Sequence, residues 1–364
     1  IETDEVSEAK AGNDVYLSID ANLQKAAYDL LEEKIAGIVV AKMANVMNYD
    51  RSQVTDESDV IIPIDDVYNA FISNEILDTG HFEDPDAKST EQAVYQAYIP
   101  RHEEVISEVL EQLGNPNAPA YKECSKEMQA YLSYVISDLL TTNAKILQTD
   151  KIDTKDKTYL AWEEDETISL YTYLNYAISQ NWIDTSKLKE YMDEESSYSD
   201  LGETYQGLVN FIGKKLSTDS GFEKLIYKYM IKTGRITGTQ ICLLLYEQEV
   251  LDYDETQYNN LVSGATGPYD FIRGKIQTLE ITPGQLGLEP CTGSVVVTDV
   301  NTGEVLACVS YPGYNNNRLA NSMDSDYYSQ LRQNQAAPLY NNATQERTAP
   351  GSTYKPLVAT AGLT

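Results

Sequence analysis

The stretch Gly293 to Ser310 constrains the fold of this chain more than any other. It holds two β-branched runs, Ser294-Val295-Val296-Val297-Thr298 and Val305-Leu306-Ala307-Cys308-Val309, joined by Asp299-Val300-Asn301-Thr302-Gly303. Asp, Asn and Gly between two apolar runs favour a tight chain reversal, so the stretch predicts an antiparallel hairpin. Neither run alternates strictly, which predicts a hairpin covered on both faces, as in a central sheet with helical layers.

Near the chain start, Asp20 is placed to cap a helix whose apolar positions Leu23, Ala26, Ala27, Leu30 and Leu31 recur at helical spacing. The preceding Val15-Tyr16-Leu17-Ser18-Ile19 reads as a short strand.

Close to the chain end, Ser352-Thr353-Tyr354-Lys355 follows the breaker Pro350-Gly351 and precedes Pro356. A helix beginning at Ser352 sets the hydroxyl and the amine on one face, with Lys355 able to take the serine proton. Leu357, Val358 and Ala361 form a stripe that would bury this helix against a core. The pattern S-x-x-K is an acylation motif of penicillin-recognising enzymes, although a bare match is common by chance.

In order, Val15 to Gln24, then Gly293 to Pro312 with Thr302-Gly303-Glu304-Val305-Leu306-Ala307, then Arg347 and Pro350 to Pro356, resemble successive blocks of the transpeptidase domain of class B high-molecular-weight penicillin-binding proteins. The resemblance covers roughly residues 13–42 and 291–364, under a third of the chain. It implies an α+β fold, the N-terminal part of a penicillin-binding transpeptidase with an antiparallel sheet and helices. It also implies a D,D-transpeptidase that cross-links peptidoglycan stem peptides through an acyl-Ser352 intermediate and binds β-lactams, with Lys355 as the base. Family members carry S-x-N and K-T-G after S-x-x-K, so the chain is expected to be an incomplete, inactive catalytic domain. The resemblance further implies an N-terminal membrane anchor before Ile1, the extracytoplasmic face of a bacterial membrane, and cell-division or elongation proteins as partners. A β-lactam-hydrolysing or β-lactam-sensing relative, or an interaction module for protein or wall polymer, are the alternative readings.

Between the blocks the resemblance fails. Residues 43–290 are expected to form an inserted, mainly helical domain, dividing the chain into 1–42, 43–290 and a transpeptidase part, 291–364. Helical patterns run from Ile64 to Leu77, Ser89 to Leu113, Lys126 to Leu140, Asp165 to Gln180, Phe222 to Lys232 and Thr239 to Gln248, with Ser89 and Gln92 set as a capping box. The whole chain has 57 acidic and 27 basic residues, and residues 43–291 hold 43 and 19 of them. Such a charge repels nucleic acid and anionic lipid, so no nucleic-acid partner is expected. Twenty of the 28 tyrosines also lie in 43–291, as core first, edge contacts second and sugar-stacking surface third.

Two motif matches within this stretch are rejected. Lys232-Thr233-Gly234 ends an apolar helical run, where a lysine followed by glycine is an ordinary C-terminal signal. Ser179-Gln180-Asn181 copies S-x-N at another helix end. His81 and His102 have polar surroundings and no ligand spacing, so both are read as solvated, and neither a metal nor a cofactor is expected. Cys124, Cys242, Cys291 and Cys308 form no disulfide framework; Cys242 and Cys308 read as small core residues. A turn near Asn301 places Cys308 opposite Ser294, away from any bridge to Cys291. No apolar run approaches the length of a spanning helix, and the polar opening Ile1-Glu2-Thr3-Asp4-Glu5 is no signal peptide.

Overall fold

The computed structural model describes residues 12–56, 59–192, 201–320 and 322–363, so the polar opening lies outside it. The chain forms two compact units, one from Ile1–Ala44, Arg51–Ile62 and Ile272–Thr364, the other from Asn45–Asp50 and Pro63–Phe271. Among the described residues helices dominate, and the strands make two two-stranded sheets, β1 (Met43–Ala44) with β2 (Ile62–Pro63) and β3 (Gly293–Thr298) with β4 (Val305–Tyr311).

In the first unit, α1 (Ala21–Lys42) starts where expected, the Asp20 carboxylate accepting from the N–H groups of Asn22 and Leu23. Its buried face differs from the expected one. Leu23 and Leu30 are exposed, and Ile35, Ala36, Val39 and Val40 are buried instead. The stripe that meets the hairpin runs through Tyr28, Leu31 and Ile35: Tyr28 lies 5.5 Å from the Tyr311 ring, and Leu31 and Ile35 lie over Gly293. The segment before Asp20 is not a strand. Val15, Tyr16 and Leu17 are largely exposed, but the Ser18 hydroxyl donates to the Val305 carbonyl (2.7 Å) and the Asp20 N–H to that of Leu306 (2.9 Å). The Gln24 carboxamide continues this pairing, donating to the Cys308 carbonyl (2.8 Å) and accepting from its N–H (2.7 Å). Side chains of the α1 start thus occupy the outer edge of β4, which a strand would otherwise leave open.

The second unit contains α2 (Ile64–Ser73), α3 (Ser89–Gly114), α4 (Lys126–Tyr134) prolonged as a π-helix through Asn143, α5 (Lys157–Glu163), α6 (Leu170–Ser179), α7 (Leu201–Leu216), α8 (Ser220–Lys232), α9 (Gly238–Glu247) and α10 (Glu255–Ser263). Then α11 (Pro268–Gln277) leads back to the first unit, where the short α12 (Pro283–Leu286) precedes β3. Its core is aromatic. Tyr131, Tyr173 and Tyr227 are almost fully buried, and the Tyr98 and Tyr227 rings stack at 4.6 Å. The expected Ser89–Gln92 box is absent. The Glu91 carboxylate accepts from the Lys88 N–H (2.6 Å), and the first N–H groups of α3 are capped by Glu247 from α9, which accepts from Thr90 (3.1 Å) and Glu91 (3.3 Å). A carboxylate at a helix N-terminus satisfies donors that the helix cannot, and favours its dipole.

Neither histidine is simply solvated. His102 packs against the Tyr98 ring at 5.2 Å, and burial draws its pKa below the ordinary value. His81 Nδ1 lies 2.7 Å from the buried Glu91 carboxylate, and that hydrogen bond raises the imidazole above its ordinary 6.5. Burial alone would raise Glu91, but hydrogen bonds from Gln248, the Lys88 backbone and His81 outweigh it and hold the carboxyl below its ordinary 4.5. A raised imidazole stabilises the fold fully below pH 6.5 and loses that contribution as pH rises through the folded value; a depressed carboxyl contributes above 4.5 and loses it as pH falls. His81→Gln is therefore expected to destabilise the chain most between about pH 4.5 and 6.5, and progressively less as pH rises through the raised folded value. Urea denaturation across pH checks this, and a constant difference from pH 5 to 8 refutes the pairing.

Candidate active site

The hairpin forms in the antiparallel register Val295↔Val309, Val296↔Cys308 and Val297↔Ala307, with a bulge between Val297 and Thr298. The Asp299 carboxylate organises the turn by accepting from the N–H groups of Asn301 (2.7 Å) and Thr302 (2.9 Å). Cys308 stands opposite Val296 rather than Ser294, because the turn is centred between Asn301 and Thr302 and the bulge then moves the pairing by one further residue. All four cysteines are free, with Cys242 buried and Cys308 half-buried. The expectation of two covered faces fails: exposure alternates along β3, and Val296 is 51% exposed. The buried face is the one carrying Ala307, Val309 and Tyr311.

From β4 the chain runs through α13 (Ser325–Gln333) and α14 (Asn342–Gln345) to the S-x-x-K turn. Asn342 ties this path to the hairpin, its N–H donating to the Ser310 hydroxyl (2.9 Å) and its carboxamide to the Tyr311 carbonyl (3.1 Å). Sequence reading passed over Asn342, because nothing in the aperiodic stretch around it marks one asparagine above its neighbours.

At Gly351 the backbone turns to φ +54°, a left-handed conformation that glycine adopts without the Cβ penalty of other residues. A 3-10 turn, Gly351–Tyr354, follows and runs into α15 (Lys355–Leu363). Ser352 thus lies within a 3-10 turn rather than at the start of an α-helix. In that geometry side chains three apart eclipse one another, so Ser352 and Lys355 share a face. The Thr353 N–H and hydroxyl both donate to the Pro350 carbonyl, leaving the Ser352 hydroxyl outside the turn's own hydrogen bonds. Among the described residues, neither Ser352 nor Lys355 makes a side-chain hydrogen bond or ion pair, and every residue from Gly351 to Leu363 is exposed. The stripe Leu357, Val358 and Ala361 is therefore not buried, Leu357 and Val358 being 63% and 59% exposed. The turn presents a hydroxyl and an amine on one surface, but no group among the described residues encloses them.

The rejected motifs are helix ends. Lys232 is the last residue of α8, Thr233 caps it, and Gly234 has φ +73°. Asn181, just past α6, has φ +58°. Both are left-handed exits from a helix. Among the described residues, no helix is long and apolar enough to cross a membrane.

Residues 293–364, from the hairpin through the S-x-x-K turn, match the family described as penicillin binding protein transpeptidase domain. The peptidoglycan D,D-transpeptidase MrdA of Haemophilus influenzae is 30% identical over 186 residues, 45% of this chain and 27% of that protein. MrdA of Acinetobacter baumannii is 46% identical over 71 residues, 20% of this chain and 11% of the relative. The peptidoglycan D,D-transpeptidase PbpA of Mycolicibacterium smegmatis is 42% identical over 77 residues, 20% and 16% of the two chains. The chain thus spans no more than 27% of the length of these relatives. No solved structure matches it. The hairpin and the Ser352 turn are part of a penicillin-binding-protein transpeptidase domain, and the mixed, largely helical architecture with small sheets is consistent with that fold.

Proposed function

We propose that the full-length protein is a class B penicillin-binding protein, a peptidoglycan D,D-transpeptidase whose nucleophile is Ser352 and whose general base is Lys355. The observation that carries this reading is the family match across 293–364, which spans both the hairpin and Ser352-Thr353-Tyr354-Lys355. Ser352 Oγ attacks the carbonyl of the penultimate D-alanine of a stem peptide while Lys355 Nζ accepts its proton. The bond to the terminal D-alanine breaks, its nitrogen leaves with a proton, and the acyl group stays on Ser352. An amine from a neighbouring stem peptide then takes that acyl group and frees the serine. The Ser352 N–H is suited to stabilise the oxyanion from the start of its turn, with a second donor supplied by the strand that bears the later K-T-G in this family.

In this reading the substrates are stem peptides, β-lactams acylate the same serine, and the protein works at the outer face of a bacterial membrane, held by an N-terminal anchor and recruited by division or elongation proteins. Fluorescent-penicillin labelling of the full-length protein, followed by peptide mass mapping, tests it. Drug attached to Ser352 supports the assignment, and drug on another serine overturns it.

We also propose that the helical unit is an insertion into the transpeptidase domain, within the 43–290 stretch that the sequence sets apart. Its support is the grouping of Pro63–Phe271 into a compact unit while Arg51–Ile62 and Ile272–Thr364 group with α1. Insertions leave their two ends close together. Replacing residues 63–271 of the full-length protein with a short Gly/Ser linker is expected to preserve penicillin labelling. A soluble product that never labels would show that the helical unit is integral to the site.

A further inference from the structure

Beside the end of β4, within the first unit, lies a cavity of about 310 Å³. No charged residue lines it, although the chain carries a formal net charge of −30. Its lining includes Tyr28, Tyr314 and Tyr340, Asn316 and Asn341, and Ser310. No residue from Gly351 to Lys355 lines it, so it is separate from the S-x-x-K turn.

Hydrogen bonds hold the walls in place. The Gly313 N–H donates to the Tyr28 hydroxyl (3.3 Å), the Asn315 N–H to the Tyr327 hydroxyl (2.8 Å), and the Ser310 hydroxyl to the Tyr340 carbonyl (3.3 Å). The groups best placed to meet a ligand are not consumed by this framework. Among the described residues, the Asn316 carboxamide and the Tyr314 and Tyr340 hydroxyls make no hydrogen bond, and Tyr314 and Tyr340 remain 40% and 39% exposed. The Asn341 carbonyl oxygen is taken up by the N–H groups of Ala343 and Thr344, which leaves its NH₂ to donate.

The chemistry of this lining selects its ligand. Without a fixed charge it has no counter-ion for a carboxylate, phosphate or amine. Tyrosine faces accept flat apolar C–H surfaces, and carboxamides both donate and accept. A ligand that pairs apolar ring faces with a belt of uncharged hydroxyl and amide groups is a saccharide. The volume is at the small end of the roughly 300–1,000 Å³ range of small-molecule sites, room for a short run of sugar rings.

We propose that this cavity binds a neutral saccharide, an N-acetylated amino-sugar unit of a glycan strand. The rings of Tyr314 and Tyr340 stack on pyranose faces, and Asn316 hydrogen-bonds the acetamido group. The choice of an acetylated sugar rests on the peptidoglycan reading above; the choice of a neutral saccharide rests on the lining alone.

The test is a titration of chitotetraose, a β-1,4-linked N-acetylglucosamine tetramer, into the 364-residue chain followed by NMR. Saturable shifts are expected with a Kd on the order of 1 mM. Tyr314→Ala is expected to weaken binding about tenfold, and Asn316→Ala about fivefold, each with an unchanged circular dichroism spectrum. Absence of saturable binding up to about 10 mM, or equal affinity in both variants, overturns the proposal. Equal binding of maltotetraose, which lacks acetamido groups, overturns the assignment to an acetylated sugar. Acylation of Ser352 in the full-length protein is measured separately: its loss with chitotetraose binding intact sinks the transpeptidase reading alone, and the converse sinks this one alone.

Discussion

Full-length protein carrying Lys355→Ala is expected to be acylated by a fluorescent penicillin about 10²–10⁴-fold more slowly than the parent, the range for losing a general base. Ser352→Ala is expected not to be labelled at all. The argument is local. The 3-10 turn from Gly351 to Tyr354 sets the hydroxyl and the amine three residues apart on one face, and the Thr353 hydroxyl is occupied by the Pro350 carbonyl. Both histidines of the chain belong to the 63–271 unit, so the described parts of the first unit contain no imidazole to take over the proton. Lys355→Arg separates the roles of base and charge. Arginine keeps the positive charge but does not give up its proton in proteins, so this variant is expected to be as slow as Lys355→Ala. Stopped-flow acylation at saturating drug decides the matter. A Lys355→Arg protein that labels at the parent rate would show that the lysine acts through charge, and would sink its assignment as base.

What the sequence made legible was local. The Asp20 cap, the hairpin turn at Asp299, and the C-terminal character of Lys232-Thr233-Gly234 depend on residues a few positions apart, and each is found as read. The hidden features depend on partners far along the chain. Glu247 caps α3 from 157 residues away, so the Ser89–Gln92 box was a match to a local pattern that a distant carboxylate displaces. The buried stripe of α1 is set by Tyr311 and Gly293 of the hairpin, which favour Tyr28, Leu31 and Ile35 over the more apolar-looking Leu23 and Leu30. Among the described residues, α5, α7, α10 and α11 went unseen, as did the shorter α12, α13 and α14, because tyrosines, glycines and amides blur the apolar period on which such reading depends. Within the candidate site, Ser352 and Lys355 were visible as a motif, whereas Asn342, which ties the approaching chain to β4, has no local signature.

Tyr131→Ala is expected to lower the stability of the helical unit by about 3–5 kcal/mol, the usual range for emptying a large buried aromatic site. Its ring is fully buried, 5.4 Å from Phe222 and 5.6 Å from Tyr229. Its hydroxyl donates to Glu127 (2.7 Å), which also accepts from Arg101 (2.7 Å). Tyr131→Phe keeps the ring and loses only that bond, so it is expected to destabilise by about 1 kcal/mol. Arg101→Ala tests the other half of the cluster, since the guanidinium also holds Glu104 (2.7 Å) and Glu108 (3.2 Å). Breaking a well-buried ion pair costs about 3–5 kcal/mol, but Glu104 and Glu108 are 51% and 40% exposed, and water reduces the expected loss to about 2 kcal/mol. The hydrogen bond from Arg101 holds the Glu104 carboxyl below its ordinary 4.5. That contribution is present above pH 4.5 and lost as pH falls through the folded value, so the Arg101→Ala deficit should shrink in acid while that of Tyr131→Ala persists. Urea denaturation followed by circular dichroism, which reports chiefly on this helix-rich unit, measures all three variants. A Tyr131→Ala loss no larger than that of Tyr131→Phe would show that the ring is not a core element, because burial of the ring, not its hydroxyl, is what the larger figure measures.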